Sequence, residues 1–210
     1  MVKESDSWEA KKRFYFIAKM VCHASNYGMK APTFQMNVLQ KSDGAIALSR
    51  TEAEAFLDMF HNLFPEIRIW HYRIRERVMS TRELSNLFGY PRLFMGQWGD
   101  SLWKEAYSWI PQSTVGCITN IAWVKMQDYI ELNDKNWDLL INCHDSILMQ
   151  APMAERDEAA KVLQSFMTMP LTATDGITQY RMKSEVCSGL NWSKKSSTNP
   201  EGMDEIKLAA

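Results

Sequence analysis

Several polar side chains near the amino terminus are spaced so that one helix would carry them on a single face. Lys19, His23 and Tyr27 follow each other at intervals of four residues, and Lys12 precedes Lys19 by seven. An α-helix turns by about 100° per residue, so a step of four drifts by about 40° and a step of seven by about 20°. Such a face combines two ammonium groups, which suit a polyphosphate, with an imidazole and a phenol, which can stack on a base. The alternative is a solvated charged face on which Tyr27 covers the core.

A second candidate site lies between two short apolar runs in the last third of the chain. Trp137–Cys143 and Ile147–Gln150 have strand composition, and His144, Asp145 and Ser146 lie between them. This pattern predicts a tight β-hairpin whose tip carries an aspartate. A carboxylate held in this way can provide part of the oxygen shell of Mg²⁺, with water and substrate phosphate completing it. The alternative is that Asp145 and Ser146 serve only to form the turn.

The ordered motifs of the chain resemble those of the family A DNA polymerases, the single-subunit type of bacteria, phages and mitochondria. The family's fingers helix reads R-x3-K-x3-F/Y-x3-Y-G, and Lys19, His23 and Tyr27-Gly28 stand in its register. The family's last motif, a strand followed by HDE, is similar to Leu139–Ser146. Further segments resemble family motifs in the same order, namely Phe64–Arg68 (FP-x-I/V-R), Leu87–Gly89 with Arg92 (LFGR), Pro111–Thr114 (P-x-QGT) and Gly189–Trp192 (G-x-x-W). The resemblance covers residues from about 10 to 193.

The resemblance implies an α+β fold, with a fingers-like helical subdomain packed on an antiparallel palm sheet with flanking helices. Residues 1–192 would form the fingers (about 7–80) and the carboxyl-terminal half of the palm (about 81–192), and residues 193–210 a flexible tail. Apolar periodicity and a capping box at Asp6 and Glu9 agree with this organisation. The predicted helices cover about 7–24, 33–39, 50–63, 65–80, 101–128 and 153–167. Strands near 137–143, 146–151 and 178–187 are expected to form one antiparallel sheet.

The resemblance also implies roles for individual residues and a cofactor. The catalytic residues would be Asp145 and Lys19, and Asp145 would bind metal, with two Mg²⁺ ions in an assembled enzyme. The nucleotide-binding residues would be Lys12, Lys19, His23 and Tyr27. The DNA-binding residues would be Arg92, Gln112 and His144.

The sequence departs from the family pattern at three positions and in one larger respect. His23 replaces a Phe or Tyr, Tyr15 stands in place of the triphosphate-binding Arg, and Ser146 replaces the Glu after His-Asp. The family's other metal-binding Asp lies upstream of the fingers helix, and this chain begins about ten residues before that helix. The first half of the palm and the thumb are therefore expected to be missing, as in a split-gene product or a fragment. The isolated chain is then expected to be inactive.

The function implied is template-directed DNA synthesis by a two-metal mechanism, with primer–template DNA, dNTPs and a separate N-terminal polymerase chain as partners. The alternative is a non-catalytic nucleic-acid-binding remnant or a partner subunit of a split polymerase. The formal net charge of −1 excludes a histone-like protein but leaves room for a local basic groove. The absence of a transmembrane stretch or a signal-peptide core favours a protein in the cytoplasm of a bacterial or phage-infected cell. The spacing of the four cysteines predicts reduced thiols and no zinc site.

Overall fold

The computed structural model describes residues 8–206 and 208 and divides the chain into two compact units. The first unit comprises the chain up to Ser85 together with Pro91–Ile110, and the second comprises Asn86–Tyr90 and the chain from Pro111 onward. The capping box predicted at Asp6 lies outside the described residues.

Helices predominate in the first two thirds of the chain and short strands in the last third. The helices are α1 (Trp8–Asn26), α2 (Ala31–Lys41), α3 (Arg50–Leu63), α4 (Pro65–Thr81), α5 (Asp100–Leu132), a single 3₁₀ turn (Met153–Glu155) and α6 (Arg156–Met167). The strands are β1 (Glu83–Ser85), β2 (Pro91–Leu93), β3 (Asp138–Asn142), β4 (Ile147–Gln150), β5 (Pro170–Thr172), β6 (Gln179–Arg181), β7 (Cys187–Ser188), β8 (Asn191–Lys194) and β9 (Gly202–Glu205). The α+β class is therefore confirmed.

The first unit is built around two apolar clusters that the helices share. Helix α1 buries one side in the first cluster and leaves its other side to solvent. The residues of this cluster include Ile17, Val21, Ala24, Phe34, Val38 and Leu57. A capping box fixes the start of α3, since the Ser49 hydroxyl accepts the Glu52 N–H and the Glu52 carboxylate accepts the Ser49 N–H. Pro65 opens α4, where a missing N–H costs nothing. The second cluster consists of Ile74, Val78, Leu84, Phe94, Leu102, Ala106 and Tyr107.

The second unit contains the carboxyl-terminal part of α5, the hairpin β3–β4 and helix α6. Its buried core consists of Met126, Ile130, Trp137 and Ala159. Strands β3 and β4 pair antiparallel, with Asp138 opposite Gln150 and Asn142 opposite Ile147. The hairpin predicted from the two apolar runs is thus present, with His144 and Asp145 between its strands.

The single sheet expected from three strands is replaced by separate small sheets. Strand β6 pairs with β5 and not with the β3–β4 hairpin. Local turn chemistry explains this, because the Asp175 carboxylate accepts the N–H groups of Ile177 and Thr178 and folds the chain back on itself. Residues 182–186 keep the predicted alternation of exposed and half-buried side chains without forming a strand.

The segment after Trp192, which its polar composition predicts to be a flexible tail, contains ordered backbone pairing. Strand β9 lies between β7 and β8, antiparallel to the first and parallel to the second. Backbone hydrogen bonds hold this small sheet together despite its low apolar content. Pro91–Ile110 clusters with the first unit. The division into fingers and palm near residue 80 stays a prediction.

Two further expectations concern the cysteines and membranes. Cys22, Cys117, Cys143 and Cys187 are all free, as their spacing predicts. Within residues 8–206 and 208, no helix combines the length and the apolar composition needed to cross a bilayer.

Candidate functional site

Helix α1 presents the predicted polar face in the first unit. Lys12, Lys19 and His23 are exposed on the helix, and Tyr27, which directly follows its last residue, is half-buried. The rings of His23 and Tyr27 meet edge to face, with centroids 4.9 Å apart and planes at 75°. The face is available because the buried residues Ile17, Val21 and Ala24 occupy the other side of the helix. The structure therefore brings these residues together as the four-residue spacing predicts.

Tyr15 extends the same face by one helical turn. It precedes Lys19 by four residues, and 74% of its side chain is exposed. A flat phenol thus stands where the resemblance places a guanidinium. The cationic character of this part of the face depends on Lys12 and Lys19.

The chain after α1 makes a close backbone approach to an aromatic pair. Gly28 has a φ of +64°, and a Cβ at this position would lie 2.8 Å from the ring of Tyr107. The Tyr107 ring stacks on His71 with centroids 4.0 Å apart. His71 Nε2 lies 2.9 Å from the carbonyl oxygen of Asn26 at the end of α1. Only glycine combines this φ with this contact, so Gly28 is fixed by the packing of Tyr107.

An open cavity of about 420 Å³ lies beside this aromatic pair, within the first unit. Four cationic side chains line it, against one carboxylate, that of Asp100; the cationic residues are Lys30, Arg68, Arg75 and Lys104. We call this the basic cavity. Asp100 accepts a hydrogen bond from Lys30 at 2.7 Å, while Arg75 lies 5.0 Å from the Trp103 ring centre in a cation–π contact. Arg68 pairs with Asp58 at 2.9 Å, so four cations face two carboxylates. The remaining surplus of positive charge favours an anionic ligand.

Burial keeps two histidines of the basic cavity in the neutral form. Burial lowers the pKa of His71, although its hydrogen bond to Asn26 acts in the opposite direction. Burial lowers the pKa of His61 as well, and the nearby Arg68 adds to that effect. At neutral pH the positive charge of the cavity therefore comes from its lysines and arginines.

The predicted metal ligand lies on the β3–β4 turn of the second unit. Asp145 and His144 are both exposed. The Asp145 N–H donates to the Cys143 carbonyl at 2.6 Å, and the Cys143 N–H donates to the Ser146 carbonyl at 2.8 Å. His144 lies inside the first of these bonds with a φ of +61°, so residues 143–145 form a γ-turn of the rare, strained type. The backbone thus presents Asp145 at the tip of the hairpin.

The carboxylate of Asp145 by itself does not make a complete metal site. Among the described residues, no group of three or more His, Cys, Asp or Glu side chains converges on a common point. Mg²⁺ takes six oxygen ligands and often keeps several waters, so a single exposed carboxylate fits it as a partial ligand set. Asp145 also borders a second, larger cavity of about 830 Å³ in the same unit.

The remaining predicted site residues lie in both units. Arg92 is half-buried in the first unit, where it forms an ion pair with Glu105 at 2.9 Å and lies 5.2 Å from the Trp109 ring centre. Gln112 is exposed on α5 in the second unit. The sequence left room for a local basic groove but did not place the basic cavity. The signal was a set of arginines on α4, which fit a solvated surface helix equally well: Arg68, Arg73, Arg75 and Arg77.

A family comparison identifies the chain. The model of DNA polymerase family A matches residues 2–194. The chain belongs to DNA polymerase family A. Curated relatives include the thermostable DNA polymerase I of Thermus thermophilus, 24% identical over 156 residues, and that of Thermus aquaticus, 22% identical over 156 residues. Each alignment covers 71% of this family A chain and 18% of the relative.

A solved structure supports the fold of this family A polymerase chain. The polymerase domain of Pol1 from M. smegmatis, in complex with DNA primer–template and dNTP, matches with a TM-score of 0.64 and 16% sequence identity. The match covers 80% of this chain and 29% of the other.

The lowered histidine pKa values predict a loss of stability on acidification. The unfolded chain binds more protons at His61 and His71 than the folded chain does. The stability they contribute is therefore complete above their unfolded pKa of about 6.5 and is lost as the pH falls toward their folded pKa values. We expect the Tm to decrease between about pH 7.5 and pH 5.5, and to decrease less in a variant with both His61→Gln and His71→Gln.

Thermal unfolding followed by circular dichroism at both pH values measures this effect. The quantity to compare is the change in Tm with pH, because each substitution also shifts the Tm itself. An equally steep pH dependence in the double variant and the unmodified chain would contradict the assignment.

Proposed function

We propose that this chain carries the nucleotide-binding helix and part of the metal site of a template-directed DNA polymerase. The observation that carries the proposal is the exposed face of α1, where Lys19, His23 and Tyr27 stand in register in a chain of DNA polymerase family A. The reaction is transfer of a deoxynucleotide to a primer 3′-hydroxyl. The chain spans 18% of the length of the Thermus polymerases it matches. In this proposal the reaction also uses polymerase residues other than those described.

The α1 face would contact two parts of the incoming nucleotide, its triphosphate and its base. The ammonium groups of Lys12 and Lys19 would neutralise the triphosphate, and Lys19 would give a proton to the leaving pyrophosphate. The rings of His23 and Tyr27, which meet edge to face, would pack on the nascent base pair. Phosphoryl transfer needs little covalent work from the protein, so positioning and charge are the main contributions of this face.

Asp145 would hold metal together with a carboxylate from outside the described residues. Two Mg²⁺ ions bound there would activate the 3′-hydroxyl and neutralise charge on the leaving pyrophosphate. The exposed position of Asp145 at the tip of a hairpin supports this role. A second carboxylate would complete the ligand set, since no group of three or more His, Cys, Asp or Glu side chains converges among the described residues.

The basic cavity would contact the phosphate backbone of primer–template DNA. Two of its four cationic side chains are in ion pairs, Lys30 with Asp100 and Arg68 with Asp58. The surplus of two positive charges would attract phosphate, although the whole chain has a net charge of −1. Arg92, Gln112 and His144 would add contacts to backbone and minor groove. The ion pair of Arg92 with Glu105 fixes the direction of its guanidinium and leaves it 40% exposed.

A non-catalytic nucleic-acid-binding protein is the second candidate. The observation that favours it is the cationic lining of the basic cavity, because binding to DNA can rest on phosphate contacts without a metal site. The two candidates differ in what happens when the remaining polymerase segments are supplied. A catalytic part gains activity, whereas a binding remnant does not.

Lys19→Ala should lower nucleotide use in the assembled enzyme. Charge-assisted contacts contribute roughly 1.5–3 kcal/mol, so kcat/KM for dNTP should fall about ten- to a hundredfold. Single-nucleotide incorporation into a labelled primer measures this value. Lys41→Ala, which removes an exposed ammonium from α2, is the matched control and should leave kcat/KM within about twofold. Equal losses of kcat/KM in the two variants would show that Lys19 is not part of the nucleotide-binding site.

The isolated chain should bind primer–template weakly and should not extend it. One carboxylate holds Mg²⁺ poorly, and binding through few phosphate contacts falls steeply with salt. Extension should appear when the chain is mixed with a polymerase segment that provides a second metal-binding Asp, and Asp145→Asn should abolish it. Extension by the purified chain alone would overturn the partial-site proposal. Binding without extension in the mixture would favour the non-catalytic candidate.

A further inference from the structure

The strained turn that carries Asp145 needs support from outside the hairpin. A non-glycine residue with positive φ persists only where its surroundings hold it in place, and His144 has a φ of +61°. The bonds inside the turn involve Cys143, Asp145 and Ser146 but leave the His144 carbonyl to other partners. The conformation of the turn therefore depends on what contacts His144.

Helix α5 supplies a buried hydroxyl to this carbonyl. Thr119 is fully buried, and its Oγ1 lies 3.2 Å from the carbonyl oxygen of His144 and 3.1 Å from that of Val115. The bond to Val115 lies within the helix, so the same hydroxyl hydrogen is shared between the helix backbone and the turn. Thr119 thereby links the turn to a rigid element.

Two neighbours of Thr119 complete the contact between helix and turn. Asn120 Oδ1 accepts a hydrogen bond from Asn142 Nδ2 at 2.9 Å, at the end of β3. The His144 ring lies against Gly116, where a Cβ would come within 3.9 Å of its Nδ1 atom. The helix thus contacts the strand end, the His144 carbonyl and the His144 ring.

We propose that Thr119 and Asn120 are positioning residues that hold the γ-turn and thereby fix the carboxylate of Asp145. The functional part of this inference rests on the proposed role of Asp145 as a metal ligand. Neither side chain touches the substrate or the metal in this scheme. Each acts through the backbone or side chain of a residue within three positions of Asp145.

Helix α5 also offers a matched control for the Thr119 hydroxyl. Thr114 is 3% exposed on the same helix, and its Oγ1 has no hydrogen-bond partner within the described part of the chain. Thr114→Val and Thr119→Val therefore make the same chemical change at two buried positions of one helix. Only the second removes a contact with the turn. Thr119→Ser keeps the hydroxyl and is the conservative variant.

Nuclear magnetic resonance of the whole chain with Mn²⁺ as the probe tests the proposal. In the unmodified chain, Mn²⁺ should broaden the amide signals of Asp145 and Ser146. Thr119→Val should raise the Mn²⁺ concentration for half-maximal broadening several-fold and accelerate exchange of the Asp145 amide hydrogen about tenfold, as expected for loss of one net hydrogen bond. In Thr114→Val and in Thr119→Ser, both the Mn²⁺ concentration and the exchange rate should stay within about twofold of the values for the unmodified chain. Asn120→Ala should act in the same direction as Thr119→Val.

The outcomes separate this inference from the proposed function. Unchanged Asp145 exchange and unchanged Mn²⁺ broadening in both Thr119→Val and Asn120→Ala would overturn the positioning role. Suppose that Thr119→Val accelerates Asp145 exchange but that Mn²⁺ broadens no signal in the unmodified chain. This result would support the role of Thr119 in holding the turn and would contradict the proposed metal role. If Thr119→Val does not fold, Asn120→Ala decides between these outcomes.

Discussion

The contact of helix α5 with the β3–β4 hairpin is the constraint on which the candidate metal ligand depends. The first turns of α5 give Leu102 and Tyr107 to a core of the first unit, and its last turns give Met126 and Ile130 to the core of the second. Between them, Gly116, Thr119 and Asn120 contact the turn that carries Asp145. Within the second unit, the same stretch of α5 carries the core residues Met126 and Ile130 and the residues that contact the hairpin, so a change in its register would disturb this core and the candidate metal ligand together.

The electrostatic character of the chain follows from how its charges are distributed. The first unit presents cations on α1 and in the basic cavity, whereas the second presents the carboxylate of Asp145 on a constrained turn. Burial keeps His61 and His71 neutral, so the positive potential of the cavity comes from lysine and arginine and persists above neutral pH. A phosphate-bearing ligand suits the first surface and a divalent cation suits the second. This division agrees with a chain that contributes part of a polymerase centre.

Sequence reasoning succeeded where local interactions decide the structure. The bounds of α1, α3 and α4 agree with the prediction to within about two residues, since apolar spacing, the Ser49 cap and Pro65 all act locally. It failed for the strand at 178–187, because the turn around Asp175 selected a different pairing partner. The basic cavity was not predictable, since Gly28, His71 and Tyr107 are far apart in sequence and meet only through tertiary packing. The contact of Thr119 with His144 escaped prediction for the same reason.

The most direct test of the account is a crystal structure of the chain assembled with a segment that supplies the second carboxylate, primer–template DNA, an incoming nucleotide and Mn²⁺. Anomalous scattering locates the metal independently of the protein atoms. The account predicts a metal peak within about 2.5 Å of an Asp145 carboxylate oxygen, the usual range for oxygen ligands of divalent cations. It also predicts that the Lys19 ammonium contacts the triphosphate. A metal bound beside the nucleotide with Asp145 turned away from it would contradict the central claim.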